Sequence, residues 1–163
     1  MHEEGDIAGA VQAGNTFAGI SLGPHITAIK NMVEGFGAQS LLDYGCGKAK
    51  GYEPFTVDTP EGPYSDSLSN IWGITDFGFY GPGYAPFTTL PERSFDAVVS
   101  TDVLEHCPEE DLPWIVSEIF SYSEMFVFCT VALYPAIKTL PNGENAHISL
   151  KSIGWWVDLF EQA

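Results

Sequence analysis

Apolar residues along the chain fall into periodic stretches that predict helices and unbroken runs that predict buried strands. From Pro24 to Phe36, Ile26, Ile29, Met32, Val33 and Phe36 recur at steps of three and four. That spacing predicts an amphipathic helix, with Pro24 in its first turn and Gly35 and Gly37 marking its end. Pro108 to Ser123 repeats the pattern through Trp114, Ile115, Ile119 and Phe120, with Glu109, Glu110 and Asp111 loading the positive end of the helix dipole. Leu150 to Glu161, with Trp155, Trp156, Leu159 and Phe160, predicts a last helix. Ser40–Tyr44, Phe95–Ser100 and Met125–Leu133 are short apolar runs and predict buried strands; Phe77–Tyr80 predicts a brief fourth.

Between these elements the periodicity is lost. Residues 1–23 are rich in glycine and alanine, with Phe17, Ile20 and Leu22 as isolated apolar anchors, and read as an irregular arm. Residues 52–75, with three prolines and many Ser, Thr and Asp residues, read as an irregular insertion; residues 134–149, with Pro135, Pro141 and Asn142-Gly143, read as a loop. Strands that are apolar throughout and alternate with helices predict an α/β fold, a parallel sheet covered on both faces, within one domain over residues 1–163.

Composition narrows the functional classes. Twenty-two acidic side chains against 6 basic ones give a formal net charge of -16. Such a surface repels phosphate backbones and lacks the cations that nucleic-acid binding uses, so a small-molecule substrate is expected and nucleic acid is not. Cys46, Cys107 and Cys129 are odd in number and have no C-x-x-C spacing, which points to reduced thiols and away from a disulfide framework or a zinc site; no metal is expected. The first residues are acidic where a secretory leader would be basic, and no stretch reaches the ~20 apolar residues of a membrane span. A soluble cytoplasmic protein is the expectation.

The candidate chemistry sits in two blocks. In the first, Leu41-Leu42-Asp43-Tyr44-Gly45-Cys46-Gly47-Lys48-Ala49-Lys50-Gly51, two close glycines follow a strand and permit a sharp turn. A dinucleotide fingerprint would need a third glycine three residues after Gly47, where Lys50 stands. Asp43, two residues before Gly45, suits a cationic amino-acid moiety rather than a pyrophosphate. The second block is Ser94-Phe95-Asp96-Ala97-Val98-Val99-Ser100-Thr101-Asp102-Val103-Leu104-Glu105-His106.

Together the blocks resemble motif I and the fourth-strand motif of class I S-adenosylmethionine (SAM) dependent methyltransferases. The resemblance covers residues 38–133. It implies a Rossmann-like three-layer sandwich with a mostly parallel sheet. It also implies SAM as cofactor, S-adenosylhomocysteine as product, and a cofactor site drawn from Asp43, Tyr44, Gly45, Cys46, Gly47, Tyr80, Gly81, Thr101, Asp102 and Val103. Gly81 stands where the family carries a ribose-binding acid. The family's final antiparallel hairpin would follow the last helix, and the chain stops at Ala163, so the expected sheet is reduced at that end, with an open edge that could pair in a homodimer. His106 and His147 are the candidate catalytic groups: His106 either caps the next helix or points into the crevice, and His147 either acts as base or orienting group or belongs to a plain turn. Trp155 and Trp156 either wall a substrate pocket or pack on the sheet. The expected function is methyl transfer to a small or pocket-bound acceptor; the alternative, favoured by Gly81 and the absent hairpin, is a non-catalytic SAM-binding partner subunit.

Overall fold

The computed structural model describes residues 21–59 and 62–163. After a 3-10 turn at Gly23–His25 come α1 (Ile26–Phe36) and β1 (Ser40–Tyr44). A hairpin of β2 (Phe55–Thr59) and β3 (Gly62–Asp66) follows, then α2 (Leu68–Trp72), β4 (Asp76–Tyr80) and β5 (Phe95–Thr101). The chain closes with α3 (Leu112–Ser121), β6 (Ser123–Thr130) and α4 (Ile153–Phe160). The central sheet is all-parallel, in the order β4-β1-β5-β6. The fold is α/β, with helices on both faces of that sheet, as in a Rossmann-like three-layer sandwich.

Alternation along the strands divides the core in two. On one face Leu41, Ala97, Val99 and Phe126 meet Ile26, Ile29 and Val33 of α1 and Leu68 and Trp72 of α2. On the other, Leu42, Tyr44 and Val98 meet Leu112, Ile115, Val116 and Ile119 of α3 and Trp156 and Leu159 of α4. Both helix stripes follow the three-and-four spacing of the sequence. Trp156 is therefore core, and neither Trp155 nor Trp156 lines the cleft described below.

At the bottom of the sheet, the Asp96 carboxylate accepts the amides of Gln39 (2.7 Å) and Ser40 (3.0 Å), and the Asp96 amide donates to Ser40 Oγ (2.9 Å). The backbone bonds, that from Gln39 foremost, hold the Asp96 carboxyl below its ordinary pKa. This clasp joins β1 to β5, the pair whose opposite ends carry the two sequence blocks.

One expected irregular region is ordered. Residues 52–75 contain the β2–β3 hairpin and α2, and Phe55, Val57 and Tyr64 pack against the α1 side of the core. Proline is no obstacle there: Pro54 precedes β2, and Pro63 sits in a two-stranded ribbon, where both strands are edges and a missing donor costs little. Of the N-terminal arm, residues 1–20, including Phe17 and Ile20, lie outside the described residues; Leu22 is buried. Among the described residues β6 ends the sheet and has a neighbouring strand on one side only. Among the described residues no helix is long and apolar enough to cross a membrane.

Candidate functional site

All four strands of the sheet run the same way, so their carboxyl ends lie along one edge. From β1 the chain first crosses to β4 on one side and then to β5 on the other, which makes β1/β5 the point where a parallel sheet opens a crevice. A cavity of ≈ 920 Å³ lies there, within the ~300–1,000 Å³ range of small-molecule sites. Every strand end reaches it: Gly45 and Gly47 after β1, Gly81 after β4, Thr101, Asp102 and Val103 at the end of β5, and Thr130 at the end of β6.

Six of the ten residues expected at a cofactor site line this cleft: Gly45, Gly47, Gly81, Thr101, Asp102 and Val103. The other four do not. Asp43 is buried beneath the turn, where its Oδ2 accepts a hydrogen bond from the Tyr52 hydroxyl at 3.1 Å. Burial pushes its carboxyl up to about 7, and the Tyr52 bond only partly offsets this. Tyr44 points to the α3 side and donates to Glu118 Oε1 at 2.6 Å; Tyr80 packs on its ring at 4.9 Å. Cys46 is buried, and burial raises its thiol pKa, as it does for Cys107 (to about 11) and Cys129 (to about 12). All three stay protonated near neutrality, which excludes them as resting thiolate nucleophiles.

The glycine turn is tied down by its neighbours. The amides of Gly45 and Cys46 both donate to the Tyr80 carbonyl, at 2.7 and 3.0 Å, so the turn after β1 is anchored to the end of β4. Gly45 has φ +92, and the room left by its missing side chain is taken by Val103, not by open cleft. A Cβ on Gly81 would sit 3.4 Å from the Gly47 nitrogen and 3.5 Å from Cys46 Sγ, so the two glycine turns approach closely along the floor.

Asp102 is the one carboxylate among the described residues lining the cleft. It is exposed, with φ +54, an uncommon conformation for a residue other than glycine. Two contacts with Thr130 fix it there: its amide donates to the Thr130 carbonyl (3.1 Å), and its Oδ1 accepts from the Thr130 hydroxyl (3.0 Å). The Ser21 and Thr101 hydroxyls lie 2.8 Å apart, which brings the segment before α1 to the tip of β5. Neither Thr130 nor Ser21 carries a spacing signal that sequence reading can use, because each meets its partner only through the sheet order.

The two histidines come together. His106 lies in a 3-10 turn, Leu104–His106, and lines the cleft; it does not cap α3, and its Nδ1 lies 2.7 Å from the Ala146 carbonyl. His147 sits in the loop after β6, its Nδ1 2.6 Å from the Tyr134 carbonyl and its ring 4.9 Å from that of His106. That loop is ordered by Asn145, whose Oδ1 accepts the amides of Ala136 and His147, each at 2.9 Å. It is pinned to the 104–107 turn by Ser149, whose amide donates to the Glu105 carbonyl (3.0 Å) and whose hydroxyl donates to the Cys107 carbonyl (2.6 Å). Glu105, given no role by sequence reading, is fully buried in this turn.

No protein-family model matches the chain, and neither a curated protein nor a solved structure matches it.

Proposed function

We propose that this chain is a SAM-dependent methyltransferase acting on a small molecule or on a group presented to the cleft. The observation that carries the reading is the meeting of both sequence blocks, Gly45–Gly47 and Thr101–Val103, on one cavity of small-molecule size. The lining suits a cationic cofactor: Asp102 offers a fixed negative charge, and Gly47 and Gly81 form a floor without side chains. SAM, when bound, supplies a methyl group activated by its sulfonium.

The protein's contribution is then placement. An acceptor that is already nucleophilic needs in-line positioning more than a base, and effective concentration within a cleft is the larger effect. His106 on the cleft wall, with His147 behind it, would orient the acceptor or take its proton. The unpaired thiols accord with a cytoplasmic setting, and the open side of β6 is where a second copy would pair.

A second reading, a SAM-binding subunit without catalysis, draws on Gly81: β4 ends without a carboxylate for ribose hydroxyls, which forgoes charge-assisted bonds of about 1.5–3 kcal/mol each. Calorimetric titration with S-adenosylhomocysteine and with NAD tests both. One homocysteine-form site per chain is expected, weakened about ten- to a hundredfold in Asp102→Asn, which keeps the shape and removes the charge. Saturable NAD binding, or no binding of S-adenosylhomocysteine, would sink the proposal. Binding without methyl transfer to any acceptor tried would favour the second reading.

A further inference from the structure

The two histidines of the cleft wall cluster with a third residue, Glu105, to which the methyl-transfer reading gives no role. The Glu105 side chain is fully buried; its Oε1 accepts the Ala132 amide at 3.0 Å, while its Oε2 has no hydrogen-bond partner among the described residues. A carboxylate oxygen left in that state costs free energy unless a proton or a cation completes it. Ligand-type atoms of Glu105, His106 and His147 all lie within 4.8 Å of one another.

The histidines are set for the same partner. Each places Nδ1 against a backbone carbonyl, Ala146 for His106 and Tyr134 for His147. A carbonyl can only accept, so each Nδ1 carries the proton, and in the neutral ring Nε2 carries the lone pair. A backbone carbonyl holding one ring N–H is the arrangement that fixes the tautomer and the orientation of metal-bound histidine. The tie from Ser149 to Glu105 and Cys107 holds the two segments together without any ion.

We propose that Glu105, His106 and His147 form a binding site for a divalent first-row transition cation, with two imidazole nitrogens and one carboxylate oxygen as protein ligands. Donors about 2.0–2.2 Å from one tetrahedral ion lie roughly 3.3–3.6 Å apart, so the widest pair, at up to 4.8 Å, would close by as much as about 1.5 Å on binding. Imidazole donors favour zinc, iron(II), cobalt or nickel over magnesium, calcium and manganese, which prefer oxygen ligands. Three protein ligands leave the coordination shell open, and His106 lies on the cleft, so the ion would offer its remaining positions to an oxygen or nitrogen donor bound there. The use of those positions by a methyl acceptor rests on the reading proposed above; the metal site itself does not.

Metal-free protein is titrated calorimetrically with Zn²⁺ and Co²⁺ at high salt, which suppresses diffuse binding to the acidic surface, with Mg²⁺ and Mn²⁺ for comparison. One Zn²⁺ per chain is expected, with affinity at least about tenfold lower in His147→Ala and in Glu105→Gln. His147→Ala alters a half-exposed loop residue and leaves the core intact, so it remains informative if Glu105→Gln fails to fold in a thermal melt. Cobalt supplies a spectroscopic check: bound Co²⁺ should show visible d–d bands without a thiolate charge-transfer band. Absence of one-to-one binding, wild-type affinity in the foldable variants, or a thiolate band would each overturn the site. Titration of the same samples with S-adenosylhomocysteine reads the cofactor cleft separately, so failure of one proposal is distinguishable from failure of the other.

Discussion

Gly45→Ala is expected to destabilise the fold by about 2–6 kcal/mol, from backbone strain and overpacking of about 1–3 kcal/mol each. At φ +92 the backbone at this position is one that L side chains rarely adopt. The added Cβ would lie 2.3 Å from Val103 Cγ2 and 2.9 Å from Cγ1, closer than any real contact. Shifting the turn is no escape, because the Gly45 and Cys46 amides are both bonded to the Tyr80 carbonyl. Urea unfolding checks this: the midpoint should fall with little change in slope. The double variant Gly45→Ala/Val103→Ala should recover the packing part of the loss and keep the strain, so the two substitutions will not add. Because Gly45 and Val103 both line the cleft, the single variant should also lose binding of S-adenosylhomocysteine.

The second large effect depends on pH. The Asp43 carboxyl titrates near 3.8 in the unfolded chain and at about 7 in the folded one. The folded state therefore holds the proton more tightly, and stability falls as pH rises from about 4 through about 7. Three pKa units correspond to at most about 4 kcal/mol. Asp43→Asn removes the charge and keeps an oxygen to accept the Tyr52 hydroxyl, so it should raise stability at pH 8 by on the order of 1–4 kcal/mol. The advantage should shrink towards zero by pH 4–5. Thermal melts of both proteins across that range provide the check; a difference independent of pH would show that Asp43 is not the group being titrated.

The strands were legible because each is a short apolar run bounded by glycine, proline or polar residues; Ser40–Tyr44 reads as a strand and is β1 to the residue. Helices α1, α3 and α4 were legible from spacing, although Pro108–Ser123 is divided into a 3-10 turn and an α-helix that begins at Leu112, whereas the short α2 lay in the region read as irregular. The β2–β3 hairpin was hidden by its prolines, since the chain alone does not reveal that the strand around Pro63 is an edge. Asp43 illustrates a different limit. Its place in the motif suggests a ligand contact, yet strand alternation puts it on the face of Leu41, where Tyr52, nine residues on, closes over it. The pairing of Glu105 with His147 lies beyond any local pattern: the two are joined only because β5 and β6 are neighbours and Ser149 bridges the segments that follow them.

The lone-sided strand β6 carries a consequence for how the molecules behave in company. A strand edge with no neighbour among the described residues invites another chain, yet each molecule also carries a formal charge of -16. Mutual repulsion of that size keeps such edges apart at low ionic strength. Added salt shortens its reach to about 10 Å at 0.1 M, and acid removes it near pH 4.2. Self-association is therefore expected to be weakest in dilute neutral buffer and to rise in brine or mild acid, where repulsion between molecules is least.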